Sequence, residues 1–155
     1  NIWVADPEHN RIIIFDNNGA EVRAIPSASQ SSDLNGPVSV YCLPNGAYLV
    51  GDRSESMLKY FDAQNNLIHK ADRGDWGVDE IYFLAWHPKH GIYASDFWNN
   101  QIVHFSEKLE VQSVYRRPGR RAGQLGKTGG LSIFKDQLAV ANYDGGKVQV
   151  FDLSS

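Results

Sequence analysis

An all-β fold of four-stranded antiparallel sheets, repeated along the chain, is what the sequence predicts, and three observations predict it. The first is a unit that recurs without gaps: NIWVADPEHNRIIIFDNNG from Asn1, AYLVGDRSESMLKYFDAQNN from Ala47, GIYASDFWNNQIVHFSEKLE from Gly91 and QLAVANYDGGKVQVFDLSS from Gln137. The second is register: Asp6, Asp52, Asp96 and Asn142 are 46, 44 and 46 residues apart, and Phe15, Phe61, Phe105 and Phe151 keep the same intervals. A period of about 40–50 residues is that of propeller blades or of helical arrays. The third is the pattern inside each unit, where short apolar, β-branched and aromatic runs alternate with turn residues. No segment carries helical spacing for two turns, which disfavours helical arrays. Together these predict a β-propeller of four-stranded antiparallel blades, a partial ring with about three and a half blades in 155 residues.

Each unit opens on a strand, IWVA, YLVG, IYAS or LAVA, whose continuous apolar character predicts burial on both faces. The residue before each anchor is small (Ala5, Gly51, Ser95, Ala141), which lets neighbouring backbones approach. Four turn residues follow: PEHN, RSES, FWNN and YDGG. A second strand comes next, as RIIIF, MLKYF, QIVHF and KVQVF, then a turn (DNNG, DAQNN, SEKLE) and a third strand, as AEVRAI, LIHKAD and EVQSVYR. A longer polar loop leads to a fourth strand, PVSVYCL, EIYFLAW or GLSIFK, which turns back through PNG, PKHG or KDQ. The strands thus fall into groups of three, four, four and three. The repeat units are about 1–46, 47–90, 91–136 and 137–155 of a single propeller segment spanning 1–155. Propellers usually close with four to eight blades, and an open half-ring leaves strand edges and apolar blade faces uncovered. The expectation is therefore a fragment of a larger propeller, or a homo-oligomer in which two copies close one ring.

Composition narrows the function classes. The net charge is −3 and the pI about 5.9, so no global field draws the chain to nucleic acid or to anionic membrane. No apolar run approaches the ~20 residues of a membrane span, and no membrane partner is expected. The lone Cys42 permits no intramolecular disulfide and no cysteine metal cluster, and within the run VSVYC it is expected to be a small core residue.

The units resemble the NHL repeat. The first carries Val4-Ala5-Asp6, His9-Asn10-Arg11 and then IIIFDNNG from Ile12 to Gly19. The second keeps Val50-Gly51-Asp52 and Phe61-Asp62, the third Ser95-Asp96, Asn100 and Phe105, the fourth Asn142, Gly146, Lys147 and Phe151-Asp152. Gly123-Gln124-Leu125 is similar to that family's Gly-Gln-Phe linker, and Pro37 stands where its pre-strand proline stands. The resemblance implies a propeller, commonly of six blades.

Several groups bear chemistry. Asp6, Asp52 and Asp96, if on inner strands, would converge near the ring axis, where carboxylates can hold a divalent cation. The alternative is structural: an Asp at a strand end accepts hydrogen bonds from the next turn, and Asp6 can pair with Arg11. The Asn in the fourth unit favours that alternative. No other cofactor is expected. The loops after the anchors and the interblade loops share one face, carrying His9, Trp76, Trp98, Asn99, Asn100 and Tyr143. The stretch YRRPGRRAGQLGKTGG adds Arg116, Arg117, Arg120, Arg121 and Lys127 with no acid, a cluster that suits RNA phosphates; the other interblade loops, with Asp33, Asp75, Asp79 and Glu80, do not. The same stretch lacks the first glycine and the following helix of a phosphate-binding loop. His87 and His90 in WHPKHG are three apart, but spacing alone does not supply three or four converging ligands. Arg73-Gly74-Asp75 spells an adhesion tripeptide that arises easily by chance. The reading placed first is a non-catalytic module that recognises a protein partner through its loop face. Its rivals are a propeller enzyme, similar to amidating lyases and lactone hydrolases, with a metal near the axis, and an RNA binder using residues 116–127. Against the enzyme, no His recurs at repeat-equivalent positions.

Overall fold

The computed structural model describes residues 1–26, 33–54, 57–74 and 80–154. The chain forms two compact units, Asn1–Asp72 and Arg73–Ser155. Fourteen strands lie among the described residues, in groups of three, four, four and three, as the repeat predicts. Unit 1 holds one sheet of β1 (Ile2–Asp6), β2 (Arg11–Phe15) and β3 (Glu21–Ile25), in that order. Its second sheet runs β4 (Pro37–Cys42), β5 (Tyr48–Asp52), β6 (Leu58–Phe61) and β7 (Leu67–Ala71). Unit 2 has the four-stranded sheet β8 (Ile81–His87), β9 (Gly91–Asp96), β10 (Gln101–Phe105) and β11 (Val111–Arg116), and the three-stranded sheet β12 (Thr128–Phe134), β13 (Gln137–Asn142) and β14 (Lys147–Asp152). All neighbours within these sheets are antiparallel. The last three sheets each straddle a repeat boundary, because the tight turn after a unit's fourth strand pairs it with the first strand of the next unit.

The recurring Phe and the residue after it build one kind of hairpin. Asp16 accepts hydrogen bonds from the Asn18 and Ala20 amides (2.8 and 2.9 Å), and Asp62 from those of Gln64 and Asn66 (2.9 and 2.8 Å). Ser106 Oγ makes the same bonds at 3.3 and 3.2 Å to Lys108 and Glu110. Register shifts fall at Ile14/Phe15, Tyr60/Phe61 and His104/Phe105, so each hairpin carries a bulge at its Phe. Gly19, Asn65 and Leu109 supply the left-handed residue (φ 83°, 68° and 62°). These amides hold the Asp16 and Asp62 carboxyls below the ordinary carboxylate range, Ala20 leading at Asp16 and the Asn66 side chain at Asp62.

Each unit has its own apolar core. In unit 1 Ile12, Ile14, Val50 and Phe61 surround Tyr48, which stacks on Phe61 (centroids 5.1 Å, 9°) and tilts against Trp3 at 5.2 Å. Burial raises the Tyr48 hydroxyl far above its ordinary pKa. In unit 2 Ala85, Tyr93, Ile102, Leu125, Leu138 and Val140 form the core. β5 and β9 are buried along their whole length, as the continuous apolar runs predict. β1 and β13 are not: their exposure varies along the strand, because only one face of each three-stranded sheet packs within its unit. The other faces leave Ile2, Val4 and Val22 in unit 1, and Val148 and Val150 in unit 2, exposed. Cys42 is a second correction. It ends β4 on a sheet edge, beside the hairpin to Tyr48, and is exposed rather than in the core. No described helix is long and apolar enough to cross a membrane.

Candidate functional site

The anchor residues are satisfied by their own and adjoining turns and strands, each by different partners. Asp6 lies 2.8 Å from Arg11 Nε and 3.0 Å from His9 Nδ1; the His9 contact, then Arg11, holds its carboxyl low. Asp52 is fully buried, accepts from the Asn35 and Ser54 amides (2.8 and 2.9 Å), and meets Lys59 Nζ at 3.3 Å. Asp96, also fully buried, accepts from the side-chain amides of Asn99 (2.9 Å) and Gln101 (3.1 Å). Asn142 accepts from the Gly126 amide and donates to the Gln124 carbonyl (2.8 and 2.9 Å). In the two four-stranded sheets the anchor strands β5 and β9 are flanked on both sides by other strands.

The turns after the anchors are equally built. Asn10 and Asn100 adopt left-handed conformations (φ 52° and 54°) and Gly146 takes the corresponding place at 57°. The Asn10 side chain accepts from the Gly36 amide at 2.7 Å, and that of Asn100 from the Lys127 amide. Asn99 and Asn100 thus close a turn and lock the entry of the next sheet, and His9 is engaged with Asp6. Trp76, with Asp75 and Asp79, lies outside the described residues.

In unit 2 the turns gather an exposed aromatic group. Trp98 is 56% exposed and Tyr143 73%. Phe97 lies between them, edge-on to Trp98 (centroids 5.2 Å, 89°) and 6.3 Å from Tyr143. Lys127 Nζ stands 5.9 Å over the Phe97 ring, and Trp98 Nε1 donates to Glu80 at 3.2 Å. Beside Tyr143 opens a groove of about 700 Å³, walled by Phe83, Phe97 and Val148 and floored by Gly129 and Gly130. Phe97 was legible in FWNN beside Trp98; Phe83 was not, because nothing in EIYFLAW says which face of β8 stays uncovered.

The basic loop adjoins this group on a stapled backbone. Gln124 anchors it: its carbonyl accepts from Asn142 and from Gln149 Nε2 (2.9 and 2.7 Å), and its side chain accepts from the Arg121 amide at 3.0 Å. Gly119 (φ 144°) passes so close to Gln124 that an added Cβ would lie 2.4 Å from Oε1. Leu125 is buried in the core. Lys147 Nζ donates to the Arg120 carbonyl at 2.6 Å, and the Tyr143 and Asp144 amides donate to Lys127 and Gly126 at 3.1 Å each, joining loop to aromatic turn. Arg116, Arg117, Arg120 and Arg121 are all exposed, with Arg117 over Tyr115 at 5.6 Å. The arrangement is a rim of exposed guanidinium and aromatic side chains on a hydrogen-bonded backbone.

No protein-family model matches the chain, and no curated protein matches it. Solved structures do. Virginiamycin B lyase from Staphylococcus aureus superposes on 99% of this chain with a TM-score of 0.66 and 9% identity, over 52% of its own length. The streptogramin B lyase structure gives 0.68 and 16% over 99% of this chain and 51% of its own. The WD40 β-propeller domain of Doa1 gives 0.70 and 11% over 97% and 46%. The chain spans about half the length of these structures. At such identities the likeness is one of fold, and with the sheets described above it makes this chain an all-β, partial β-propeller of about three and a half blades.

Proposed function

We propose that this chain is part of an NHL-like propeller that recognises a protein partner through the loop face of unit 2. The observation that carries the reading is the exposure of Trp98 and Tyr143 on turns fixed by hydrogen bonds. Exposed aromatics on a rigid frame offer large contact area at little entropic cost, which is how interface hot spots are made. The WD40 propeller domain of Doa1 has the same fold and supports a scaffold reading by analogy only. Site-specific photocrosslinking from positions 98 and 143, compared with position 64 in unit 1, tests it. Crosslinks to a discrete protein from 98 and 143, lost in competition with the uncaged chain, are expected. Equal, diffuse crosslinking from all three positions refutes the reading.

A second reading is favoured by the four exposed arginines beside the aromatic turn: single-stranded RNA, with phosphates on the loop and bases on Trp98 and Tyr143. Binding would then weaken steeply with salt and on Arg120→Ala/Arg121→Ala. Absence of binding at low salt ends that reading.

A further inference from the structure

Two hairpins of unit 2 bring a pair of neighbouring histidines together with an aspartate 46 residues further along the chain. His87 ends β8, His90 lies in the turn before β9, and Asp136 is in the turn between β12 and β13. His87 Nε2 is 3.6 Å and His90 Nε2 3.3 Å from the same oxygen, Asp136 Oδ1. One ligand atom from each of the three lies within 4.8 Å of the others, and the two rings lie 4.6 Å apart at 34°. His87 is buried, His90 half-buried, and Asp136 is 51% exposed, so the cluster is sheltered on the imidazole side and open to water on the carboxylate side.

We propose that His87, His90 and Asp136 form a binding site for a zinc-class divalent ion, which ties the β8–β9 hairpin to the β12–β13 hairpin. Two imidazoles and one carboxylate are the donor set of zinc and its neighbours; calcium and magnesium take oxygen ligands. The open side leaves a fourth position for water. The frame holds the ligands from behind. The Asp136 carbonyl accepts from the Leu153 amide at 2.8 Å, and the His90 carbonyl meets His104 Nε2. Gly91, at φ 84°, passes so near the Phe105 carbonyl that a Cβ would lie 2.4 Å from it, so the turn has one tight path.

The ring of His87 sets a competition. Its Nδ1 accepts from the amides of Lys89 and His90 at 3.1 Å each, which puts the neutral ring's proton on Nε2, facing Asp136. That one lone pair is shared between two donors on a turn that water reaches. An ion at Nε2 requires the ring proton to sit on Nδ1, so binding gives up the two amide contacts. The ion therefore exchanges a local turn contact for a link between two sheets.

The test uses the full chain, stripped with chelator and titrated with zinc chloride in a calorimeter. One zinc per chain, a rise in unfolding temperature with zinc, and cobalt(II) absorption of a four-coordinate N/O site are expected. Asp136→Asn and His90→Gln should each weaken zinc binding at least about tenfold, with unchanged circular dichroism. His9→Gln and His69→Gln should bind as the parent does. The proposal is overturned if the parent takes up no zinc, if both cluster variants bind as tightly as the parent, or if His9→Gln abolishes binding.

Discussion

Replacing Lys59 by Met should be among the most damaging single changes in unit 1, and the repeat itself shows how to reverse it. The Lys59 ammonium is 5% exposed, faces the fully buried Asp52 carboxylate at 3.3 Å, and donates to Ser54 Oγ at 3.1 Å and to the Asp33 carbonyl. Met keeps the length and volume of the stem and removes the charge. Asp52 is then a buried anion with only neutral donors, a situation that costs about 3–5 kcal/mol. The same place in the last sheet is built without charge: Asn142 replaces the Asp, and Gln149 replaces the Lys. Gln149 Nε2 bonds the Gln124 carbonyl at 2.7 Å, as Lys59 bonds that of Asp33. Asp52→Asn/Lys59→Gln should therefore lie within about 1.5 kcal/mol of the parent, since it exchanges one satisfied network for another. Urea unfolding of Lys59→Met and of the four members of the Asp52→Asn/Lys59→Gln cycle, followed by tryptophan fluorescence and circular dichroism, measures both numbers if the slope is unchanged. A cost below about 1 kcal/mol for Lys59→Met, or a double variant no more stable than Lys59→Gln alone, refutes the reasoning.

Other outcomes follow from the same geometry. Gly91→Ala forces a side chain into the left-handed region and against the Phe105 carbonyl, and should cost at least about 2 kcal/mol in urea unfolding, whereas Gly130→Ala, with open space around it, should cost far less. Asp16, Asp62 and Asp152 have carboxyls held below their ordinary values, so the stability they contribute is present above the unfolded-state pKa of 3.8 and is lost as pH falls through the lower folded value. Asp16→Asn/Asp62→Asn should flatten that acid limb of the urea midpoint. Trp98→Ala and Tyr143→Ala should each change stability by less than about 0.5 kcal/mol, while Leu125→Ala costs about 2–5 kcal/mol; a large loss from the aromatic changes would make them packing residues. Cys42 should react with maleimide in the folded chain, slowly at neutral pH and faster as pH rises, because partial burial pushes its thiol up.

Much of this molecule is written in local pattern. The spacing of Asp6, Asp52, Asp96 and Asn142, with the turn residues between apolar runs, located all fourteen described strands and their grouping, because pairing partners here are hairpin neighbours and sheet register follows from short turns. The strand-end acids were legible as turn-builders for the same reason: Asp6 meets His9 and Arg11 within its own unit. What the pattern could not carry was anything depending on groups from different repeats or on which sheet face finds a neighbour. Nothing in MLKYF marks Lys59, yet it is buried against Asp52 and the Asp33 carbonyl. Cys42 read as core and is exposed at a sheet edge. Asp136, in an ordinary polar turn, joins His87 and His90 only once two hairpins come side by side. By itself, then, the sequence determined a repeating all-β architecture and the turns that build it, since these rest on contacts within one repeat. Only the tertiary structure decided which charges are buried, which aromatics stay exposed and which ligands converge, since these depend on packing around whole strands and between hairpins, which local pattern does not encode.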